Sequence, residues 1–286
     1  MAADVVAKRI RRRPVEWLPG IALWIVLGVL AVFFLFPFLW VLVTSLRPAS
    51  SVYAGGLIPD RWTFGAYGAA LHNIDLLRHM AISLGVTVAT VALVVIVATL
   101  AGYGFAHFAF FGRETLFITL LTTMMLPTVV FVIPLFIEMR TLGLINNPVG
   151  LVIAYAATGS PLAMFLMRTF FRNLPPELID AARMDGAGEL RIFWSVMRPL
   201  AAPGVASLVV FQFMLTWNEF LYANTFIRLP EWLPLQPLLY SLQGSYGTDV
   251  PVLCAGIVLS SLPVLIVFAG MQRRFAEGLT LGALNA

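Results

Sequence analysis

The segment NLPPELIDAARMDGAGELRIFWSVMRPLAAP, residues 173–203, decides how this chain is read. Five arginines and four acids fall between Arg168 and Arg198, while the sequence on either side is almost unbroken apolar. Its centre, ELIDAARMDGA over 177–187, has the marks of a short helix. Pro175 and Pro176 suit a helix start, and Glu177 and Asp180 lie near its positive N-terminal end. Leu178, Ala181, Ala182 and Met184 supply apolar and small side chains, and Gly186 can take the positive φ that ends a helix. Composition leaves three roles open. The segment is a loop resting on anionic lipid, an interfacial anchor using Ile192, Phe193, Trp194 and Val196, or a docking element for another protein. Glu177, Asp180, Asp185 and Glu189 nearly cancel the arginines, which weighs against a purely lipid-bound loop.

The flanking sequence belongs in a membrane. The chain has 286 residues, of which 60% are hydrophobic and 11% charged, with mean hydropathy +0.92. Soluble domains carry roughly 25% charged residues. Apolar runs over 18–46, 81–105, 115–139, 149–170, 204–227 and 251–271 are each long enough for a spanning helix of about 20 residues. The expected fold is an all-α polytopic membrane protein with six transmembrane helices. A basic tail (1–17) precedes the membrane domain (18–271), and a short tail (272–286) follows it. The first run is too long for a signal peptide and lacks an A-x-A site, so it reads as a retained span. Pro127 and Pro134 in the third run and Gly159-Ser160-Pro161 in the fourth are expected breaks.

Lys and Arg set the orientation. Thirteen of the eighteen lie in the N-tail, the second-to-third loop, the 173–203 loop and its borders, and the C-tail. Both termini and residues 173–203 are therefore expected in the cytoplasm. The net charge of +4 speaks to topology and not to nucleic acid.

Enzyme chemistry is missing. The only lysine is Lys8, in the basic tail, so there is no P-loop lysine to reach a phosphate. There is no H-E-x-x-H and no C-x-x-C, His72, His79 and His107 do not cluster, and Cys254 is the sole cysteine. Gly159-Ser160 has no histidine on a later span to act as a base. No catalytic, cofactor-binding or metal-binding residue is expected.

E-L-I-D-A-A-R-M-D-G-A, followed by Phe193, Arg198-Pro199-Leu200 and Pro203, resembles the EAA loop of bacterial ABC importer permeases. Asp180 stands where that family has Glu. Ala181, Ala182, Asp185, Gly186 and Ala187 match, and Arg198 replaces the usual Leu before Pro199. Other passages are similar to sugar permeases: Thr44-Ser45-Leu46-Arg47-Pro48, the 101–106 and 110–113 passage, Leu142-Gly143-Leu144-Ile145-Asn146, Trp217-Asn218-Glu219-Phe220, and 272–280. The resemblance is to the carbohydrate-uptake branch and its MalG-like subunit. It implies the type I ABC importer permease fold in the bacterial plasma (inner) membrane. Glu177, Asp180, Ala181, Ala182, Asp185, Gly186, Ala187 and Pro199 would dock the ATPase. The implied partners are a second, MalF-like permease, an ABC ATPase homodimer and an extracytoplasmic solute-binding protein, in membrane lipid. ATP and Mg would be bound by the ATPase subunits and not by this chain.

Within the spans, Glu219 is the one acid well inside an apolar run. A charge at mid-membrane costs about 2.5–3.5 kcal/mol on insertion scales, so it must face protein or water. It is either a hydrogen-bond partner between spans, with Asn218 or Gln212, or part of the pathway wall. Trp217 and Phe220 suit stacking on a sugar and Asn218 suits its hydroxyls, yet all three equally suit helix packing. Tyr240, Gln243 and Tyr246 are candidates for meeting the binding protein. A neutral sugar is the expected cargo. A polyol or glycerol phosphate derivative, or a stand-alone secondary transporter, are the alternatives.

Overall fold

We describe the chain from a computed structural model, over residues 17–52, 56, 58–243 and 249–283, with side chains from residue 23 to residue 272 of these. The basic tail expected over 1–17 lies almost wholly outside the described residues, and so does Tyr246. Every regular element among the described residues is helical.

Helix α1 (Trp17–Ser45) occupies the first apolar run and passes through Pro37. It leans on the last long helix and otherwise faces outward, with Trp24, Phe33 and Phe38 each more than 70% exposed. A helix that is apolar all round in this way is solvated by lipid or by another apolar surface. At its end, the Thr44-Ser45-Leu46-Arg47 passage turns inward. The Ser45 Oγ meets the Tyr67 hydroxyl at 2.8 Å, and the buried Arg47 donates to the Gly56 carbonyl at 2.6 Å. This fastens the following loop and helix α2 (Gly65–His72) to the bundle.

Helices α3 (Leu76–His107) and α6 (Pro148–Arg172) pack together along their lengths and form the central pair. Asn147 caps α6, its side chain accepting the Val149 N–H at 2.9 Å, and Pro148 fills the first helical position. The preceding Asn146 sits at φ +59 and accepts the Arg228 and Leu229 N–H groups, so the L-G-L-I-N turn is tied to a loop 82 residues on.

The spans depart from straight helices in two places and keep to one helix where a break was expected. The run 115–139 is not one helix. It folds as α4 (Arg113–Thr123), a short 3₁₀ turn (Thr128–Phe131) and α5 (Val132–Thr141), bent by 97°. Pro127 drives the break, since it forbids the helical hydrogen bond and pushes Leu126 toward extended backbone. Pro134 causes none, because it lies in the first turn of α5, where N–H groups have no helical acceptor. The break expected at Gly159-Ser160-Pro161 is absent, and α6 runs through it. The Ser160 hydroxyl donates to the Ala156 carbonyl beside the gap left by Pro161. Gly159 serves packing instead: a Cβ there would meet the Gln212 amide at 2.8 Å.

The run 204–227 is likewise divided, into α10 (Ala202–Trp217) and α11 (Leu221–Phe226), with Asn218 to Phe220 between them. Beyond it come α12 (Leu235–Ser241) and α13 (Val250–Ala283), which carries the sixth span on without a break into the segment read as a tail. Among the described residues four helices are long and apolar enough to cross a membrane, and up to six spans are counted if two bent pairs, 113–123 with 128–141 and 189–200 with 202–217, are each taken as one.

Candidate functional sites

Residues 173–203 fold into a capped helix and a bent arm. Helix α7 (Glu177–Met184) starts after Pro176 and ends at Gly186, whose φ of +80 only glycine adopts without strain. The Gly186 N–H bonds the Arg183 carbonyl at 2.9 Å and the Ala187 N–H bonds the Ala182 carbonyl at 3.0 Å, the paired closure of a Schellman cap. The spacing from Ala182 to Gly186 and Ala187 is thus the geometry of a helix stop. Arg183 clasps Glu189 at 2.9 Å and lies 3.6 Å from Asp180, all at the surface.

The arm follows as α8 (Glu189–Ile192), a π-helical turn (Phe193–Met197) and α9 (Arg198–Leu200), then bends by 70° into α10. Pro199 has no N–H to give Ser195, and its ring would press on that carbonyl. The wider π turn, closed by Arg198 N–H on the Phe193 carbonyl, avoids the conflict. Arg198 is exposed and places its guanidinium 5.0 Å from the Trp194 ring centre, so the residue that departs from the usual pattern still has an aromatic partner.

The loop has two faces. Ile179, Ile192, Phe193 and Met197 are buried in one core with Tyr103 of α3 and Met167 and Phe171 of α6, and Ala182 and Ala187 pack against it. On the other side Glu177, Leu178, Ala181 and Met184 are exposed, Met184 to 88%, and Leu190 follows at 78%. The two adjacent alanines therefore differ: Ala182 seats α7 on its own spans, and Ala181 lies at the middle of the outward face. Beside the loop, Arg168 of α6 bonds Glu114 of α4 at 2.6 Å and stacks 3.9 Å from the Phe117 ring centre.

The second site lies at the break between α10 and α11. Glu219 Oε1 accepts the Tyr222 N–H at 2.9 Å. Its Oε2 accepts the Tyr155 hydroxyl at 2.6 Å and the Ala223 N–H at 3.2 Å. The carboxylate thus caps α11 and ties it to α6, matching free N–H groups and a positive helix end with negative charge. It borders a cavity of about 220 Å³ lined by Tyr155, Thr158, Gly159, Gln212, Thr216 and Tyr222. A second, more apolar chamber of about 420 Å³ shares Thr128, Thr158, Gly159 and Leu215 with it and reaches Phe131 and Pro161.

The four pathway candidates from the sequence do not gather here. Trp217 is buried, stacks on Phe213 and donates its indole N–H to the Ser260 carbonyl at 3.1 Å, which fixes α10 to α13. Asn218 is exposed and bonds Met214 of its own helix at 2.8 Å. Phe220 packs on Tyr240, 4.9 Å between ring centres. Only Glu219 reaches the 220 Å³ cavity, and its partners are neither Asn218 nor Gln212, which instead bonds Thr216. Tyr155 escaped the sequence reading; its signal was a phenolic hydroxyl in an apolar helix, which needs a partner.

A bundle of spanning helices with a polar arm and a polar cavity at a helix break suits the membrane component of a transport system. More specifically, the chain belongs to the family of binding-protein-dependent transport system inner membrane components, which matches residues 94–281. It is 33% identical over 254 residues to the diacetylchitobiose uptake system permease protein NgcG of Streptomyces coelicolor, covering 87% of this chain and 83% of that one. It is 33% identical to the arabinooligosaccharides transport system permease protein AraQ of Bacillus subtilis, over 93% and 95% of the two chains. A solved bacterial ABC transporter involved in the import of the acidic polysaccharide alginate contains a chain that superposes with a TM-score of 0.81. That chain is 29% identical to this one, with 92% of this chain and 98% of that one covered. The named relatives are permease proteins of saccharide uptake and transport systems, and this chain is a multi-pass membrane protein of their family.

Proposed function

We propose that this chain is one of two permease subunits of an ATP-driven carbohydrate importer in the bacterial plasma membrane, with both termini and residues 173–203 cytoplasmic. A second, MalF-like permease completes the pathway and covers apolar surface such as that of α1. An ABC ATPase homodimer binds ATP and Mg and receives the 173–203 arm, and an extracytoplasmic binding protein delivers the sugar. The observation that carries this reading is the two-faced loop: one face is anchored in the core of α3 and α6, and the other presents Leu178, Ala181, Met184 and Leu190 to a partner. Exposed apolar side chains grouped beyond the spans mark a protein-binding surface.

The mechanism follows from the anchoring. When the ATPase dimer closes, it moves α7, and α7 is packed on Tyr103, Met167 and Phe171, so the motion enters α3 and α6. The energy comes from the partner, since this chain has no lysine in position to hold a phosphate. The test is affinity purification of the tagged chain from its own cells, followed by ATPase assay with and without saccharide and binding protein. Co-purification of an ATPase whose rate rises with a saccharide is the expected result. Uptake by the chain alone in vesicles without ATP would instead establish the stand-alone transporter.

A further inference from the structure

We propose that this chain itself holds one glycosyl unit of the cargo, in the cavity between α6 and α10, and that Gln212 reads a neutral hydroxyl there. This rests on the importer reading above and adds a binding site within this subunit. Gln212 is only 3% exposed. Its Nε2 is spent on the Thr216 hydroxyl at 3.1 Å, while its Oε1 accepts no hydrogen bond among the described residues, and the side chain lines the cavity. An amide oxygen on a cavity wall with no partner in the protein is free to accept a ligand hydroxyl or a water.

The surroundings hold that amide in place and define what it meets. Gly159 brings the α6 backbone so close that a Cβ would lie 2.8 Å from both amide heteroatoms. Thr158 donates its hydroxyl to the Ala154 carbonyl and keeps its lone pairs for the cavity it lines. Among the described residues that line the cavity Glu219 alone is an acid or a base, and its oxygens are already engaged by Tyr155, Tyr222 and Ala223. The negative field therefore repels a uronate, while the groups left to recognise the ligand are neutral. Phe131, Pro161, Leu162 and Leu215 line the adjoining chamber, an apolar wall for the C–H faces of a sugar ring. Neutral acceptors on one side and apolar surface on the other suit an uncharged sugar unit.

The experiment uses the importer purified with its companion subunits in proteoliposomes. Initial uptake rates are measured for radiolabelled maltose, trehalose and diacetylchitobiose, and for digalacturonate. On the neutral saccharide that the wild type carries, Gln212→Met raises KM roughly two- to tenfold, the effect of one lost hydrogen bond, in an importer that still assembles with its companion subunits. Gly159→Ala, which displaces the amide, shifts KM the same way. Asn218→Ala, bonded to its own helix, leaves KM unchanged. Wild-type uptake with an unaltered KM in Gln212→Met means that the cavity holds water only and overturns the subsite alone. Equal uptake of digalacturonate overturns its preference for neutral units. A wild-type importer that carries no saccharide overturns the sugar reading, and the subsite with it.

Discussion

The Tyr155 hydroxyl donates to Glu219 Oε2 at 2.6 Å, joining two helices across 64 residues of sequence and across a break in one of them. The bond explains how an acid survives within a membrane domain. Glu219 is neither free in the pathway nor buried without partners, but forms the cap of α11.

Tyr155→Phe is accordingly expected to lower the Tm of the purified importer, since hydrogen bonds to charged groups contribute about 1.5–3 kcal/mol. Glu219→Gln keeps an acceptor for the α11 N–H groups and lowers Tm less than Glu219→Ala, which frees them all. Equal melting of the two Glu219 variants would show that the cap contributes nothing.

Gly186 gives a graded series. Its φ of +80 places any other residue in the left-handed region, at a cost of about 1–2 kcal/mol, least for Asn. Gly186→Asn is expected to retain most uptake and ATPase co-purification, and Gly186→Val to lose both. A Val variant that behaves like wild type would rule out the cap as the reason for glycine.

Ala181 and Ala182 separate docking from folding. Ala182→Glu drives a charge against the core of α3 and α6 and is expected to lower the Tm of the permease subunits on their own. Ala181→Glu leaves that Tm unchanged and removes the ATPase from the purified complex. If both variants lost stability equally, the outward face would not be an interface.

Arg168 is not replaceable by lysine. It stacks on Phe117 while bonding Glu114, which a planar guanidinium does and an ammonium does not. Arg168→Lys is expected to lower Tm nearly as far as Arg168→Met. Full retention of Tm by the lysine variant would reduce the contact to simple charge pairing.

Much of this was legible in the sequence, and the remainder was hidden for physical reasons. Pro175, Pro176 and Gly186 bound α7 where the residues said they would, because proline and glycine act through the local backbone. The same residues misled within the spans. Pro161 is absorbed by α6, and Gly159 answers to Gln212, a neighbour 53 positions away that local sequence does not show. The break at Asn218 to Phe220 has neither proline nor glycine to announce it. It is made by a side chain bonding backbone N–H groups, helped by a tyrosine from another helix, so only the assembled structure displays it. The cavity was invisible for the same reason: its polar wall combines residues from α6, α10 and α11.

The continuity of α6 carries a mechanical consequence. Met167, in the core beneath α7, and Tyr155, on the cavity, stand on one unbroken helix, about 18 Å apart along its axis. Had Pro161 broken it, the outer half could have stayed still while the inner half swung. In the proposed importer, a single rod would turn a push at one end into a tilt at the other, without slack. Slippage in such a stroke would then arise in its neighbours, at the joints between α4 and α5 and between α10 and α11.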